Sequence, residues 1–396
     1  MTRVLLAPDK FKGTLTATEV AGHLAVGIAD VRPDVEVVSV PVADGGDGTL
    51  AAAVAAGFTR HDVVATGPTG EPVRTAFGRR GLEAVVELAA VSGLGQLTNG
   101  PAPLTASSRG TGELIRAALD AGCSRIVLGI GGSAGTDGGA GLACALGARI
   151  LDATGAPVAP GGAALAGAVS LDLTSLHPGL ATAQLVVASD VDNPLLGPRG
   201  AAAVYGPQKG STTEQVVLLD AALSRWADLV AETTGEDHRD DPGAGAAGGV
   251  GFGALAVLGA RLEPGVDLIF ALTGFNDQLK GADLVVTGEG SLDEQTLHGK
   301  APAGVAAAAR AAGVPVVAVA GQVLLSDGAL RAAGIGTAYA LTDLSDDRVE
   351  LFTRPGPLLA RIGARIAREH LGDPKGTGAG HPVTATAPET QQDDGR

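Results

Sequence analysis

Gly129-Ile-Gly-Gly-Ser-Ala-Gly-Thr-Asp-Gly-Gly-Ala-Gly141 follows directly on the apolar run Arg125-Ile-Val-Leu-Gly-Ile130, so a buried strand empties into a loop of seven glycines and one carboxylate, Asp137. Glycine lets consecutive backbone N–H groups converge on one point and removes the Cβ that would hold a ligand off the main chain. With Leu142-Ala-Cys-Ala-Leu-Gly147 reading as helical, the stretch is an anion cradle, and phosphate is its natural guest. Two other readings compete. Gly129-Ile-Gly131-Gly-Ser-Ala134 fits a relaxed dinucleotide fingerprint, with Asp152 about 20 residues on to meet a ribose. Against it, Asp152-Ala-Thr-Gly-Ala-Pro-Val158 resembles a hairpin turn where a Rossmann unit needs a crossover helix. The glycines also suit close packing alone. A Walker A loop is excluded, because Gly299-Lys300 is followed by Ala301 where Ser or Thr is required.

Length and composition set the frame for this loop. The 396 residues allow two or three domains, and 45% hydrophobic with only 3% aromatic content means a core of Ala, Val, Leu and Ile. Apolar runs separated by Gly and by Ala-rich helical stretches favour an α/β fold with parallel strands buried on both faces. A net charge of −15 argues against nucleic acid or an anionic membrane as partner. Met1-Thr-Arg-Val-Leu-Leu-Ala-Pro8 is too short an apolar run for a secretory signal, and no stretch approaches the roughly 20 apolar residues of a membrane span. Cys123 and Cys144 lack metal-ligand spacing and read as reduced packing residues of a cytoplasmic protein. Only six of the 28 basic residues are Lys, and four of those, Lys10, Lys12, Lys209 and Lys300, fall in glycine-, proline- or aspartate-marked loops, where a compact ammonium is wanted.

Taken in order, Arg3–Ala7 is a first strand, Pro8-Asp-Lys-Phe-Lys-Gly-Thr14 a loop, and Thr16 with Glu19 a capping box for a helix to about Ala29. Val35–Val40 leads into Pro41-Val-Ala-Asp-Gly-Gly-Asp-Gly-Thr49, which brings Asp44 and Asp47 to the sheet edge that carries Lys10 and Lys12. The loop Thr105–Leu114 offers Ser107, Ser108 and Thr111 to an anion or to the helix it precedes. Leu185–Ala188 empties into Ser189-Asp-Val-Asp-Asn-Pro194, where Asp190 and Asp192 point to opposite faces and one of them meets the cleft. Trp226, on a helix from about Thr213 to Thr233, reads as core, and the glycine run from Gly243 to Gly253 as close packing. Asp283–Thr287, Val314–Ala320 and Thr337–Leu341 complete a five-stranded parallel sheet with the two N-terminal strands, provided the middle of the chain is an insertion. The domains expected are therefore 1–64 with 283–371, a second α/β domain over 65–282, and a disordered tail over 372–396.

Lysines, carboxylates and a backbone cradle across an interdomain cleft suit phosphoryl transfer, which needs positioning and charge neutralisation more than covalent chemistry. His298, the one histidine in a motif loop, reads as structural. At this point the chain resembles a known family. Pro8-Asp-Lys-Phe-Lys-Gly-Thr, Ala43-Asp-Gly-Gly-Asp-Gly-Thr, Gly131-Gly-Ser-Ala, Asp137-Gly-Gly-Ala-Gly, Asp190-Val-Asp-Asn-Pro-Leu, Gly206-Pro-Gln-Lys-Gly and Thr287-Gly-Glu-Gly-Ser-Leu-Asp-Glu-Gln-Thr are similar to the signature segments of the bacterial type I glycerate kinases, in the same order over about residues 3 to 370. The resemblance implies ATP-dependent phosphorylation of D-glycerate with Mg²⁺, usually to 2-phosphoglycerate with the 3-isomer as alternative. It also implies a flavodoxin-like parallel-sheet domain interrupted by a second α/β domain. Two positions depart from the family pattern: Gly135 lacks a hydroxyl, and Ser189 stands where cysteine is usual.

The expected roles follow. Gly131, Gly132, Ser133, Asp137 and Lys209 bind the nucleotide; Lys10 neutralises charge in catalysis. Asp190 and Asp293 share the base and metal-ligand roles, their order left open, while Lys12, Asp44, Ser108 and Lys300 bind the acceptor. A nicotinamide-dependent oxidoreductase of a small hydroxy acid, using the fingerprint and Asp152, is the alternative, and a non-catalytic organic-acid sensor is a third reading. Dimerisation is left open.

Overall fold

The computed structural model describes residues 1–297 and 300–372; His298 and the expected tail beyond Gly372 lie outside the described residues. The first strand, β1 (Arg3–Pro8), is an unbroken apolar run because both of its faces are covered: Leu5 and Ala7 enter one hydrophobic cluster, Val4 and Leu6 another. The helix Ala17–Val31 starts at the expected capping box, with the Glu19 N–H donating to Thr16 Oγ1 at 3.2 Å and the Thr16 N–H donating to Glu19 Oε2 at 2.8 Å. After β2 (Glu36–Ser39) come β3 (Thr59–Thr66), β4 (Pro72–Arg80), β5 (Glu83–Glu87) and β6 (Arg125–Gly129), the strand that feeds the glycine loop. The chain continues through β7 (Arg149–Asp152), β8 (Ala168–Asp172), β9 (Gln184–Ala188) and β10 (Arg261–Glu263). It closes with β11 (Leu284–Leu292), β12 (Val316–Val323) and β13 (Thr337–Ala340).

The strands form two main sheets and a hairpin. One sheet is parallel throughout and runs β13-β12-β11-β1-β2. Counted by its own strands this is the flavodoxin-like order 2-1-3-4-5, whose direction of winding reverses between β1 and β11. The second sheet runs β10-β9-β6-β5-β4-β3, parallel from β10 to β5 and antiparallel beyond. β7 and β8 pair separately as an antiparallel hairpin.

One helix serves both sheets. Gly265–Thr273 buries Val266 and Phe270 against the five-stranded sheet, and Leu268, Ile269 and Leu272 against Val85, Val127 and Val186 of the other. The helix Thr49–Ala55 also turns Ala53 toward that second cluster. The expected boundary at 64/65 therefore runs through β3, which pairs along its whole length with β4 and belongs to the six-stranded sheet. Strand pairing, set by β4, decides the point. The chain re-enters the five-stranded sheet at Leu284.

Candidate active site

Loops at the carboxyl ends of strands from both sheets meet in one cleft. Its larger chamber, about 840 Å³, is lined by Asp9, Lys10, Lys12, Glu289 and Asp293 and, at its far end, by Leu341, Leu351 and Phe352. A smaller chamber of about 270 Å³ is lined by Ser133, Ser189, Asp190, Tyr205 and Lys209. Asp44, Gly46, Gly131, Gly132 and Lys300 line both. The position is the winding reversal between β1 and β11, where an open α/β sheet leaves a crevice.

The chambers join because two glycine loops touch. A Cβ on Gly131 would stand 2.6 Å from the Cα of Gly46, and one on Gly129 would stand 2.6 Å from the carbonyl oxygen of Gly45. The Asp44 loop of one sheet lies against the central loop of the other only because neither carries a side chain there. Part of the glycine content that reads as a phosphate cradle is thus spent on loop contact. Gly132, with φ +76° and a place in both chambers, remains available to a ligand.

Carboxylates crowd the larger chamber. Asp9 is buried at the end of β1, its Oδ1 accepting from the Lys10 N–H at 2.6 Å; burial pushes its pKa up to about 7, against the opposing Lys10 charge, with Asp44 and Glu289 adding to the rise. Lys10 Nζ donates to the Asp47 carbonyl oxygen and stands 3.8 Å from both Asp9 Oδ1 and Asp47 Oδ2. Glu289 accepts from Thr296 Oγ1 at 2.6 Å and from Lys300 Nζ at 3.2 Å. Asp293 Oδ1 accepts from the Gln295 N–H at 2.9 Å, so this side chain shapes the turn at the cleft mouth. Behind them Glu87 receives the N–H groups of Gly48 and Leu50 at 3.1 and 2.9 Å and is pushed by burial to about 7.

In the smaller chamber Asp190 Oδ1 accepts from the Gly265 N–H at 2.9 Å, and burial, with Asp44 and Asp267 nearby, raises its pKa above the ordinary carboxylate range. Asp192 is absent from the chamber lining and stands 3.3 Å from Arg199, so one of the two aspartates meets the cleft, although both lie beyond the end of β9 rather than on extended strand. Lys209 is 2% exposed, its Nζ donating to Ser133 Oγ at 2.9 Å and to the Gly135 carbonyl oxygen. Burial draws its pKa down to about 7, with Asp137 opposing.

The match of residues 4–371 to the glycerate kinase family model decides the relationship. The chain belongs to the glycerate kinase family. Glycerate kinase of Bacillus subtilis (strain 168) is 44% identical over 369 residues, which cover 92% of this chain and 97% of that protein. Glycerate 2-kinase of Escherichia coli (strain K12) is 42% identical over 373 residues, 92% of this chain and 97% of that one. A crystal structure from Salmonella typhimurium LT2 is 40% identical with a TM-score of 0.80, covering 92% of this chain and 97% of its own.

Within this glycerate kinase fold, the expected site residues divide. Lys10, Lys12, Asp44, Gly131, Gly132, Ser133, Asp190, Lys209, Asp293 and Lys300 line the cleft. Asp137 and Ser108 do not. Asp137 is buried beneath the glycine loop, where Oδ2 accepts from the Ser108 N–H at 2.8 Å, Ser108 Oγ at 3.0 Å and Ser107 Oγ at 3.2 Å, and Oδ1 accepts from the Gly139 N–H at 3.2 Å. This clamp ties the loop to the start of the helix Arg109–Asp120, and its donors offset the cost of burying a carboxylate. Trp226 is core as expected and donates from Nε1 to the Gly138 carbonyl at 3.0 Å. Gly248, in the later glycine run, packs on the same loop: a Cβ there would stand 2.2 Å from the Gly135 carbonyl oxygen. Asp152, the acid of the dinucleotide reading, is consumed in the turn after β7, accepting from the N–H groups of Thr154 and Ala156 at 2.8 and 3.0 Å.

Asp9, Glu289 and Glu87 were missed as site residues. Asp9 stands just beyond the carboxyl end of β1 and Glu87 at that of β5, and that position was the signal available; Glu289 lies inside β11. Among the described residues no three His, Cys, Asp or Glu side chains converge to hold a metal. Mg²⁺, however, takes one or two carboxylates and completes its shell with water and phosphate oxygens, and Asp9, Asp44, Glu289 and Asp293 line the larger chamber as hard oxygen donors of the kind it takes. Asp190 and Asp293, the two candidates for the base and metal-ligand roles, line different chambers.

These shifted groups make stability depend on pH. Asp9 and Glu87 hold protons to about pH 7 when folded, well above their unfolded values, so the stability they contribute at low pH is lost as pH rises toward 7. Lys209 releases its proton near pH 7 when folded but keeps it far higher when unfolded, so stability returns above pH 7. The ligand-free protein is expected to show a Tm minimum near neutral pH, with Asp9→Asn flattening the acid-side slope. A Tm climbing steadily from pH 5 to 8 would contradict this.

Proposed function

We propose that this chain transfers the terminal phosphoryl group of ATP to a hydroxyl of D-glycerate with Mg²⁺. The observation that carries the reading is the junction of two unequal chambers at Asp44, Gly131, Gly132 and Lys300. A nucleotide-sized cleft with three lysines opens there onto a pocket of the scale of a three-carbon acid, so donor and acceptor meet at one shared wall. Lys10, Lys12 and Lys300 neutralise the triphosphate. One or two of Asp9, Asp44 and Glu289 would hold Mg²⁺, which would supply charge neutralisation for the phosphates.

Asp190 is the base of this reading. It lies in the acceptor's chamber, held by the Gly265 N–H, and takes the hydroxyl proton as the oxygen bonds to phosphorus and the bridging oxygen leaves with ADP. The name of the Escherichia coli relative, glycerate 2-kinase, supports 2-phosphoglycerate as product. Leu341, Leu351 and the exposed Phe352 give the adenine an apolar wall. Phe352→Ala is expected to raise KM for ATP about tenfold and leave that for glycerate alone; equal values for ATP would remove Phe352 from the site. Among the described residues no helix is long and apolar enough to cross a membrane, and the free Cys123 and Cys144 suit the cytoplasmic setting we assign.

The test is incubation with ATP, Mg²⁺ and D-glycerate, followed by phosphorus NMR. A phosphomonoester resonance with matching ADP identifies the kinase and the hydroxyl together. No ADP above a glycerate-free control sinks the glycerate assignment.

A further inference from the structure

Lys209 is a buried cation without an ion-pair partner among the described residues. Its two hydrogen-bond partners, Ser133 Oγ and the Gly135 carbonyl, are uncharged. The ion pairs made by lysines among the described residues belong to Lys10, Lys280 and Lys300; Lys209 makes none. Burying an ammonium is costly unless an anion accompanies it. Among the described residues no carboxylate lies within ion-pair distance, Asp137 acting only from farther off, and Lys209 lines the smaller chamber.

The wall beside it is also unusual. Ala247, which lines that chamber, has φ 55° and is the one non-glycine residue with positive φ among the described residues. Backbone strain of this kind persists where surrounding structure enforces it, and it gathers at ligand sites. Gly248 follows, with φ +73° and a hypothetical Cβ only 2.7 Å from Lys209 Nζ, so this turn presses bare backbone against the ammonium.

Two anions of the proposed reaction could complete the pair: the acceptor's carboxylate or a nucleotide phosphate. We infer that Lys209, buried at the edge of the 270 Å³ chamber with only uncharged partners, is the receptor for the carboxylate of the small hydroxy acid that accepts the phosphoryl group. The chamber is below the usual range for a nucleotide-sized ligand. It also contains Asp190, which would accept a hydrogen bond from an acid's hydroxyl. Lys300, the residue first expected to hold the carboxylate, is already paired with Glu289 at 3.2 Å and faces both chambers. The pKa drawn down to about 7 is in keeping with an ammonium that regains a full charge when its anion arrives.

The inference rests on the acceptor occupying the smaller chamber. Calorimetry separates the ligands: D-glycerate and Mg·ATP are each titrated alone into wild type, Lys209→Met and Lys209→Arg. The expected result is a glycerate Kd raised about 30-fold or more in Lys209→Met, partial recovery in Lys209→Arg, and a Mg·ATP Kd within about threefold of wild type. The reverse split assigns the lysine to the nucleotide and overturns the inference, and equal losses for both ligands make it a structural prop and do the same. Should Lys209→Met fail to fold, wild-type inhibition decides. Propionate, a three-carbon carboxylate without hydroxyls, is expected to compete with glycerate and not with ATP; competition with ATP overturns the inference. Glycerate binding without turnover would separate failure of the kinase reading from failure of this one.

Discussion

Asp190→Asn is expected to lower kcat by roughly a thousandfold, inside the range of about 10² to 10⁴ that a positioned general base contributes. The amide keeps an oxygen to accept from the Gly265 N–H, which Asp190 Oδ1 receives at 2.9 Å, so the loop after β9 and its helix partner should stay in place. Proton acceptance is what disappears. KM for both substrates and the Tm are expected to change little. The acid limb of the wild-type pH–rate profile, which reports ionisation of a carboxyl raised by burial, should vanish with the substitution. Steady-state kinetics across pH 5 to 9 check this, and turnover within tenfold of wild type would remove Asp190 from the base role.

Lys10→Met should be nearly as damaging, for electrostatic reasons. Burial pulls the Lys10 pKa down, but Asp9, Asp47, Asp44 and Glu87 together outweigh it and raise the pKa, so the ammonium stays charged. Its removal leaves those acids facing incoming phosphates without their nearest cation. Loss of one preorganised charge aimed at a reacting group costs about 10² to 10³ in rate, and kcat/KM for ATP is expected to fall by that much. The acceptor's Kd, measured by calorimetry without nucleotide, should hold within about threefold. A variant with wild-type kcat/KM for ATP would place Lys10 in the fold's charge balance alone.

The fold was legible where local pattern carries it. Thr16 and Glu19 mark a helix start whose bonds are local to one turn, and the buried run at Val4–Ala7 announces a strand covered on both faces. β11 and β12 could be picked out because they repeat that signature, whereas β2 and β13 at the sheet edges are only partly buried. β3 misled the domain boundary because its membership depends on pairing with β4, which sequence texture blurs.

The site was legible in its charged loops and misread in its glycines and buried acids. Asp137 and Ser108 sit in motifs that look like ligand contacts, yet they face each other beneath the loop. Asp9 and Glu87 look like ordinary strand-end residues until burial, with Asp44 and Glu289 beside the first and Asp47 beside the second, raises them.

By itself the sequence determined the order of elements, the α/β class, the family's signature segments and the loops that carry lysine and aspartate, because periodicity, caps and glycine placement act over a few residues. Only the tertiary structure decided that Gly46 touches Gly131, that Asp137 is a clamp, and that Lys209 is buried among uncharged partners. Those facts depend on side chains far apart in the chain being packed to within a few ångströms, and the charge a group carries follows from the solvent and neighbours that packing leaves it.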